Sequence, residues 1–136
     1  MNKIHSSAII HPNSKIGKNV EIGPFSIVED NVTIGDNTLI GPNVLIKSFS
    51  YVGEDCKIFN GAVVGEVPMD LKFKGEKSKL IIGDRTTVRE FATLHRGTIE
   101  RGFTQIGSDC LIMSYGHIAH DVIIGDNVIV SISVNI

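Results

Sequence analysis

Tryptophan is absent, aromatic residues make up 6% of the 136 positions, and there are 2 cysteines and 4 prolines. With so few aromatics and no recognition motif, nucleic-acid binding is not expected. No apolar run approaches ~18 residues, so no integral membrane segment is expected. Met1-Asn2-Lys3-Ile4 is not followed by an apolar stretch of about 7–15 residues, so the start does not read as a signal peptide. Cys56 and Cys110 form no CxxC pair, which predicts reduced thiols and a cytoplasmic location. There is no GxSxG signature and no charge excess: the formal net charge of −2 argues against a generic polyanion binder. What is abundant is Ile, Val, Gly and Asn, a mixture that favours strands joined by tight corners and a single all-β domain over residues 1–136.

The apolar residues recur every six positions. From Ile4 the series runs through Ile10, Ile16, Ile22, Val28, Ile34, Ile40, Ile46, Val52, Ile58 and Val64, then Ile82, Val88 and Leu94, then Ile106, Ile112, Ile118, Ile124, Val130 and Ile136. Only Asp70, Glu76 and Glu100 break it, so 20 of the 23 sites are branched aliphatics. Gly often follows the aliphatic (Gly17, Gly35, Gly53, Gly83, Gly107), and two residues later comes Asn or Asp (Asn19, Asn37, Asp55, Asp109). A small or β-branched residue comes next, as at Ser26, Thr38, Cys56 and Cys110. A six-residue period is the signature of a parallel β-helix. Three hexads close a triangular coil, the aliphatic and the small residue point inward, and Gly and Asn accept the positive φ that corners require. Coils stack at ~4.8 Å. Both cysteines fall in the small inward phase and are expected to be packing residues.

Two segments interrupt the period without changing its phase, one near 65–81 and one near 95–105. Both read as excursion loops, and in a solenoid such loops tend to carry function. Eight of the 13 Lys and Arg lie between Lys72 and Arg101 against four acidic residues, so this segment is +4 while each flank is −3. A basic middle suits an anionic ligand or an acidic partner, although a solvated face has the same composition.

Of the five histidines, His5 and His11 fall on early corners. His95 opens the second interruption. In Tyr115-Gly116-His117-Ile118-Ala119-His120-Asp121, Ile118 takes the inward ladder site, so His117, His120 and Asp121 are expected to face outward. Three readings stand at this point: surface histidines in a turn, a metal site, or a histidine general base oriented by a carboxylate.

Three motifs make the chain resemble the bacterial acyl-[acyl-carrier-protein]–UDP-N-acetylglucosamine O-acyltransferase family of hexapeptide-repeat transferases. They are Asp70-Leu71-Lys72 followed by Gly75-Glu76, then His95-Arg96-Gly97-Thr98, then His117-Ile118-Ala119-His120-Asp121. The resemblance implies a left-handed parallel β-helix, assembled as a homotrimer with sites between subunits. It implies transfer of an (R)-3-hydroxyacyl group to the 3-hydroxyl of UDP-N-acetylglucosamine, or its 3-amino analogue, in the first step of lipid A biosynthesis. The acyl group arrives on the phosphopantetheine of acyl carrier protein, with no metal or other cofactor. His120 matches the catalytic base and Asp121 the carboxylate that holds it, while Asp70, Lys72, His95 and His117 match substrate-binding positions. Pro68-Met69 departs from the family's Asn-Gln before the aspartate. The family's later coils and helical C-terminal domain lie beyond Ile136, which predicts a chain truncated at its C-terminus. Two other readings are a truncated, non-catalytic trimeric scaffold and a zinc enzyme of the γ-carbonic-anhydrase kind, which also uses histidines between subunits.

Overall fold

A computed structural model describes all residues, Met1–Ile136. It is a left-handed parallel β-helix of three sheets, with 7, 6 and 6 strands. The first face stacks Lys3–Ile4, Glu21–Ile22, Leu39–Ile40, Lys57–Ile58, Thr87–Val88, Leu111–Ile112 and Ile129–Val130. The second stacks Ile9–Ile10, Ile27–Val28, Leu45–Ile46, Val63–Glu66, Thr93–His95 and His117–Ile118. The third stacks Lys15–Ile16, Thr33–Ile34, Ser50–Val52, Lys79–Ile82, Phe103–Ile106 and Ile123–Ile124. No segment is a helix, and none is long and apolar enough to cross a membrane as one.

Parallel register puts identical phases over one another: Ile22 pairs with Ile40, Ile40 with Ile58, and Ile58 with Val88. The resulting columns form one core of 24 buried residues, from Val20 to Val130. Each buried aliphatic contributes roughly 1.5–3 kcal/mol relative to exposure. The small inward residues also satisfy backbone acceptors. Ser26 and Thr38 donate their hydroxyls to the carbonyls of Gly41 and Gly53 at 2.7 and 2.8 Å, and the Cys56 and Cys110 thiols donate to those of Gly83 and Gly125 at 3.1 Å. The two cysteines therefore stand in for hydroxyl residues within the core and are free thiols.

The corners correct one expectation. Asn19, Asn31, Asn37, Asn43, Asp55, Asp109 and Asn127 do take φ between 54° and 61°. Gly17, Gly35, Gly53, Gly83 and Gly107 do not need positive φ; they form a column in which a Cβ has no room. A Cβ on Gly35 would stand 2.6 Å from the carbonyl carbon of Gly53, and one on Gly53 2.5 Å from the carbonyl oxygen of Gly83. Close approach of successive coils, not backbone freedom, selects glycine along this edge.

The interruptions leave the coil and return in register. Lys3 pairs with Glu21, eighteen positions on, but Lys57 pairs with Thr87, thirty positions on, so the first loop adds twelve residues. Thr87 pairs with Leu111, twenty-four on, so the second adds six. Both are shorter than the sequence pattern suggests. Val63–Glu66 and Lys79–Ile82 are strands, as are Thr93–His95 and Phe103–Ile106, leaving residues 67–78 and 96–102 as loops. The inward alternation already holds at buried Leu80 and Ile82 and at buried Thr104 and Ile106, so each returning strand begins before the six-residue series resumes. Gly65 starts the first departure: its φ of +86° accompanies the register shift between Val64 and Glu66, and the Ser50 hydroxyl fills the space a side chain would need. Both loops leave the second face and re-enter the third, so they emerge on the same edge of the prism.

Candidate active site

That edge also carries the last of the histidines. His117–Ile118 lies on the second face and Ile123–Ile124 on the third, so His120 and Asp121 form the corner between them, beside both loops. Asp121 takes φ 65°, the corner conformation that Asn takes elsewhere. Ile118 is fully buried, as its ladder phase requires.

Asp121 is the hub. His120 Nδ1 lies 2.9 Å from its Oδ2. The Thr98 backbone N–H donates to Oδ1 at 2.8 Å, and the Thr98 hydroxyl donates to Oδ2. The Asp121 N–H in turn donates to Thr104 Oγ1 at 2.9 Å, and Arg101 Nε donates to the Asp121 carbonyl at 2.9 Å. Partial burial alone would raise the carboxyl pKa, but the hydrogen bonds from Thr98 and His120 outweigh it and hold the group below its ordinary value. An ionised carboxylate accepts only, so the His120 contact requires a proton on Nδ1, and the neutral ring keeps its Nε2 lone pair free. The His120 side chain is 35% exposed and that of Asp121 15%, so the expected outward face holds for the imidazole while its carboxylate partner is tucked beneath the second loop.

The other predicted residues divide. His117 Nδ1 lies 2.7 Å from Thr93 Oγ1, and the His95 ring stands edge-on to that of His117 with centroids 4.6 Å apart. His95 does not project from a loop: it closes the strand Thr93–His95 and is 7% exposed. Burial, followed by the neighbouring His117, lowers its pKa, so the ring is held neutral. Asp70 and Lys72 lie on the first loop, where Asp70 Oδ1 accepts the Lys72 N–H at 3.0 Å. No hydrogen bond or ion pair ties either of them to the histidines. His95, His117 and His120 are not gathered into a ligand set, since no group of three or more His, Cys, Asp or Glu side chains is placed to hold a metal ion.

Sequence reasoning assigned no role to Thr93, Thr98, Arg101 or Thr104. Thr104 was accessible to it, because it occupies the small inward phase two residues before Ile106 and is fully buried. Thr98 belongs to a quoted motif, but its partner lies 23 residues away and only the coil geometry joins them. Exposed Lys72, Lys74, Lys77 and Arg101 make the two loops basic, while Arg85 and Arg89 are spent on Asp109 and Glu90. At the histidine edge the His120 imidazole is partly exposed while His95 is buried, and none of the main surface grooves is lined by His95, His117 or His120.

Residues 13–48, 31–66 and 103–131 match the family of bacterial transferase hexapeptide repeats (six repeats). An acyl-[acyl-carrier-protein]–UDP-N-acetylglucosamine O-acyltransferase from Paraburkholderia xenovorans is 55% identical over 96% of this chain and 50% of its own length. One from Chlorobaculum parvum is 55% identical over 89% of this chain and 46% of its own. The chain thus spans about half the length of the curated relatives it matches. A solved UDP-N-acetylglucosamine acyltransferase from Bacteroides fragilis superposes with a TM-score of 0.96 at 47% identity, over 97% of this chain and 52% of that one. A perosamine N-acetyltransferase from Caulobacter crescentus, 20% identical with a TM-score of 0.75, shares the fold. With repeats matched over more than half of its residues and a coil that superposes on theirs, the chain belongs to the bacterial hexapeptide transferases, alongside the UDP-N-acetylglucosamine O-acyltransferases among them.

Proposed function

We propose that this chain serves acyl transfer from an acyl carrier protein to a UDP-sugar, with His120 as general base. The observation that carries the reading is the His120–Asp121–Thr98 chain, which anchors Nδ1 and leaves Nε2 free on an exposed edge. In this reaction Nε2 takes the proton of the sugar 3-hydroxyl as that oxygen attacks the thioester carbonyl carbon. The C–O bond forms, the C–S bond breaks, and the imidazolium returns its proton to the departing phosphopantetheine thiolate. Ionised Asp121 stabilises the imidazolium while it exists. No metal or redox group enters this balance.

The relatives' names supply an acyl-[acyl-carrier-protein] as donor and UDP-N-acetylglucosamine as acceptor. In our reading the acyl group is a 3-hydroxyacyl group and the reaction is the first step of lipid A biosynthesis, in the cytoplasm. Asp70, Lys72, His95 and His117 are the acceptor- and acyl-binding residues in this reading. His95 acts mainly by packing against His117. The basic loops suit an acidic carrier protein. An open edge needs a second wall, which a neighbouring protomer of a homotrimer provides.

The test is product formation from UDP-N-acetylglucosamine and 3-hydroxyacyl carrier protein, measured for this chain and for the full-length Paraburkholderia xenovorans relative, each beside its His120→Ala counterpart. Removing a general base is expected to lower kcat by roughly 10²–10⁴-fold. Equal product from parent and variant would take His120 out of the mechanism. Carrier-protein binding by this chain with no product would favour the non-catalytic scaffold.

A further inference from the structure

The first loop bears Asp70 and Lys72, yet its polar contacts are almost all its own. The Phe73 N–H donates to the Asp70 carbonyl at 2.9 Å, the Lys74 N–H to Glu76 Oε1 at 2.6 Å, and the Ser78 N–H to the Glu76 carbonyl at 2.9 Å. Apart from the adjoining Glu66, whose Oε1 accepts the Val67 N–H at 3.0 Å, one outside side chain hydrogen-bonds to residues 67–78. Arg96 Nη2 donates to the Glu76 carbonyl at 3.3 Å. Its guanidinium carbon lies 5.3 Å from the centroid of Phe73, on the loop, and 5.6 Å from that of Phe49, on a coil corner. Arg96 is only 8% exposed, its Nε has no hydrogen-bond partner, and no carboxylate forms an ion pair with it. Taking a guanidinium out of water is costly without a paired charge, so its position here calls for a role. Two aromatic faces compensate in part, and a flat guanidinium fits between them.

The position of Arg96 in the chain matters as much as its contacts. It follows His95, whose ring packs on His117, and precedes Gly97-Thr98, whose threonine holds Asp121. Its own N–H donates to the Glu66 carbonyl at 2.9 Å, at the root of the first loop. One residue therefore touches the first loop at its root and at its return, and is joined by backbone to both histidine partners.

We propose that Arg96 is a positioning residue that clamps the first loop to the histidine edge and fixes Asp70 and Lys72 relative to His120. What the loop then grips rests on the acyltransfer reading: the sugar-nucleotide acceptor. The clamp consists of stacking and one hydrogen bond, so its release loosens the loop without dismantling the coil.

The test uses limited trypsin digestion of this chain, because Lys72, Lys74 and Lys77 are exposed on the loop. Arg96→Met keeps an apolar stem but removes the guanidinium. Phe73→Leu acts from the loop side, where it cannot unfold the core. Both are expected to speed cleavage within the loop about tenfold, and the double variant to be no faster than either. In turnover assays both should raise KM for UDP-N-acetylglucosamine about tenfold, with kcat and its pH profile unchanged, the opposite of the pattern expected for a lost base. Unchanged loop cleavage in both variants overturns the clamp, and faster cleavage with an unmoved KM overturns its positioning role. Absence of turnover in every form, parent included, counts against the acyltransfer reading, while the digestion still decides the clamp.

Discussion

The four residues of His95-Arg96-Gly97-Thr98 each have a separate physical task. His95 packs edge-on against His117, and Arg96 lies between Phe49 and Phe73. Gly97 stands where a Cβ would run into the backbone of Phe103, so the two legs of the second loop can close only over glycine. Thr98 supplies two donors to Asp121. His95 also gives a pH signature. Burial and His117 depress its folded pKa below the ordinary 6.5, so the unfolded chain binds its proton first. The stability it supports is fully present above pH 6.5 and is lost as pH falls toward the folded value. Urea unfolding midpoints are expected to drop between pH 7.5 and 5.5 in the parent chain and to drop less in His95→Gln. An equal slope in both would show that the ring is not held neutral. Asp121 adds a second loss of the same sign, confined to pH below its ordinary 3.8.

At the scale of the coil, the glycine column and the inward ladders impose different tolerances. Along the ladders, neighbouring methyl groups can shift. Along the glycine column, backbone meets backbone. Gly35→Ala places its Cβ 2.6 Å from the carbonyl carbon and 2.7 Å from the carbonyl oxygen of Gly53. Gly41→Ala meets nothing nearer than 3.2 Å. Overpacking of the first kind is expected to destabilise the chain by about 1–3 kcal/mol, and the second by clearly less. Chemical denaturation of the two variants side by side checks this, and equal losses would mean that coil spacing is softer than the contacts imply.

For the whole molecule, the decisive arrangement is that both loops and the His120 corner share one edge of the prism. A single chain leaves that edge open, and the outward side chains Ile9 and Ile27 of the same second face are exposed. If protomers complete the site for one another, light scattering of the purified chain should give about three times 14.8 kDa. A monomer at working concentrations would leave His120 without an opposing wall and would weaken the acyltransfer proposal together with the trimer.

The six-residue period of the sequence determined the ladder, the inward cysteines and the outward placement of His120, because side-chain direction in a strand is fixed by position alone. The period broke at Asp70, Glu76 and Glu100, which is why the neighbouring Glu66, Lys79 and His95 read as loop although they pair within sheets. Only the tertiary structure decided the rest. That Thr98 meets Asp121, that His95 meets His117, and that Arg96 meets Phe73 depends on how many residues each loop adds before its strand returns to register. That number sets which side chains lie one coil apart, and contacts between coils are made by stacking rather than by sequence proximity.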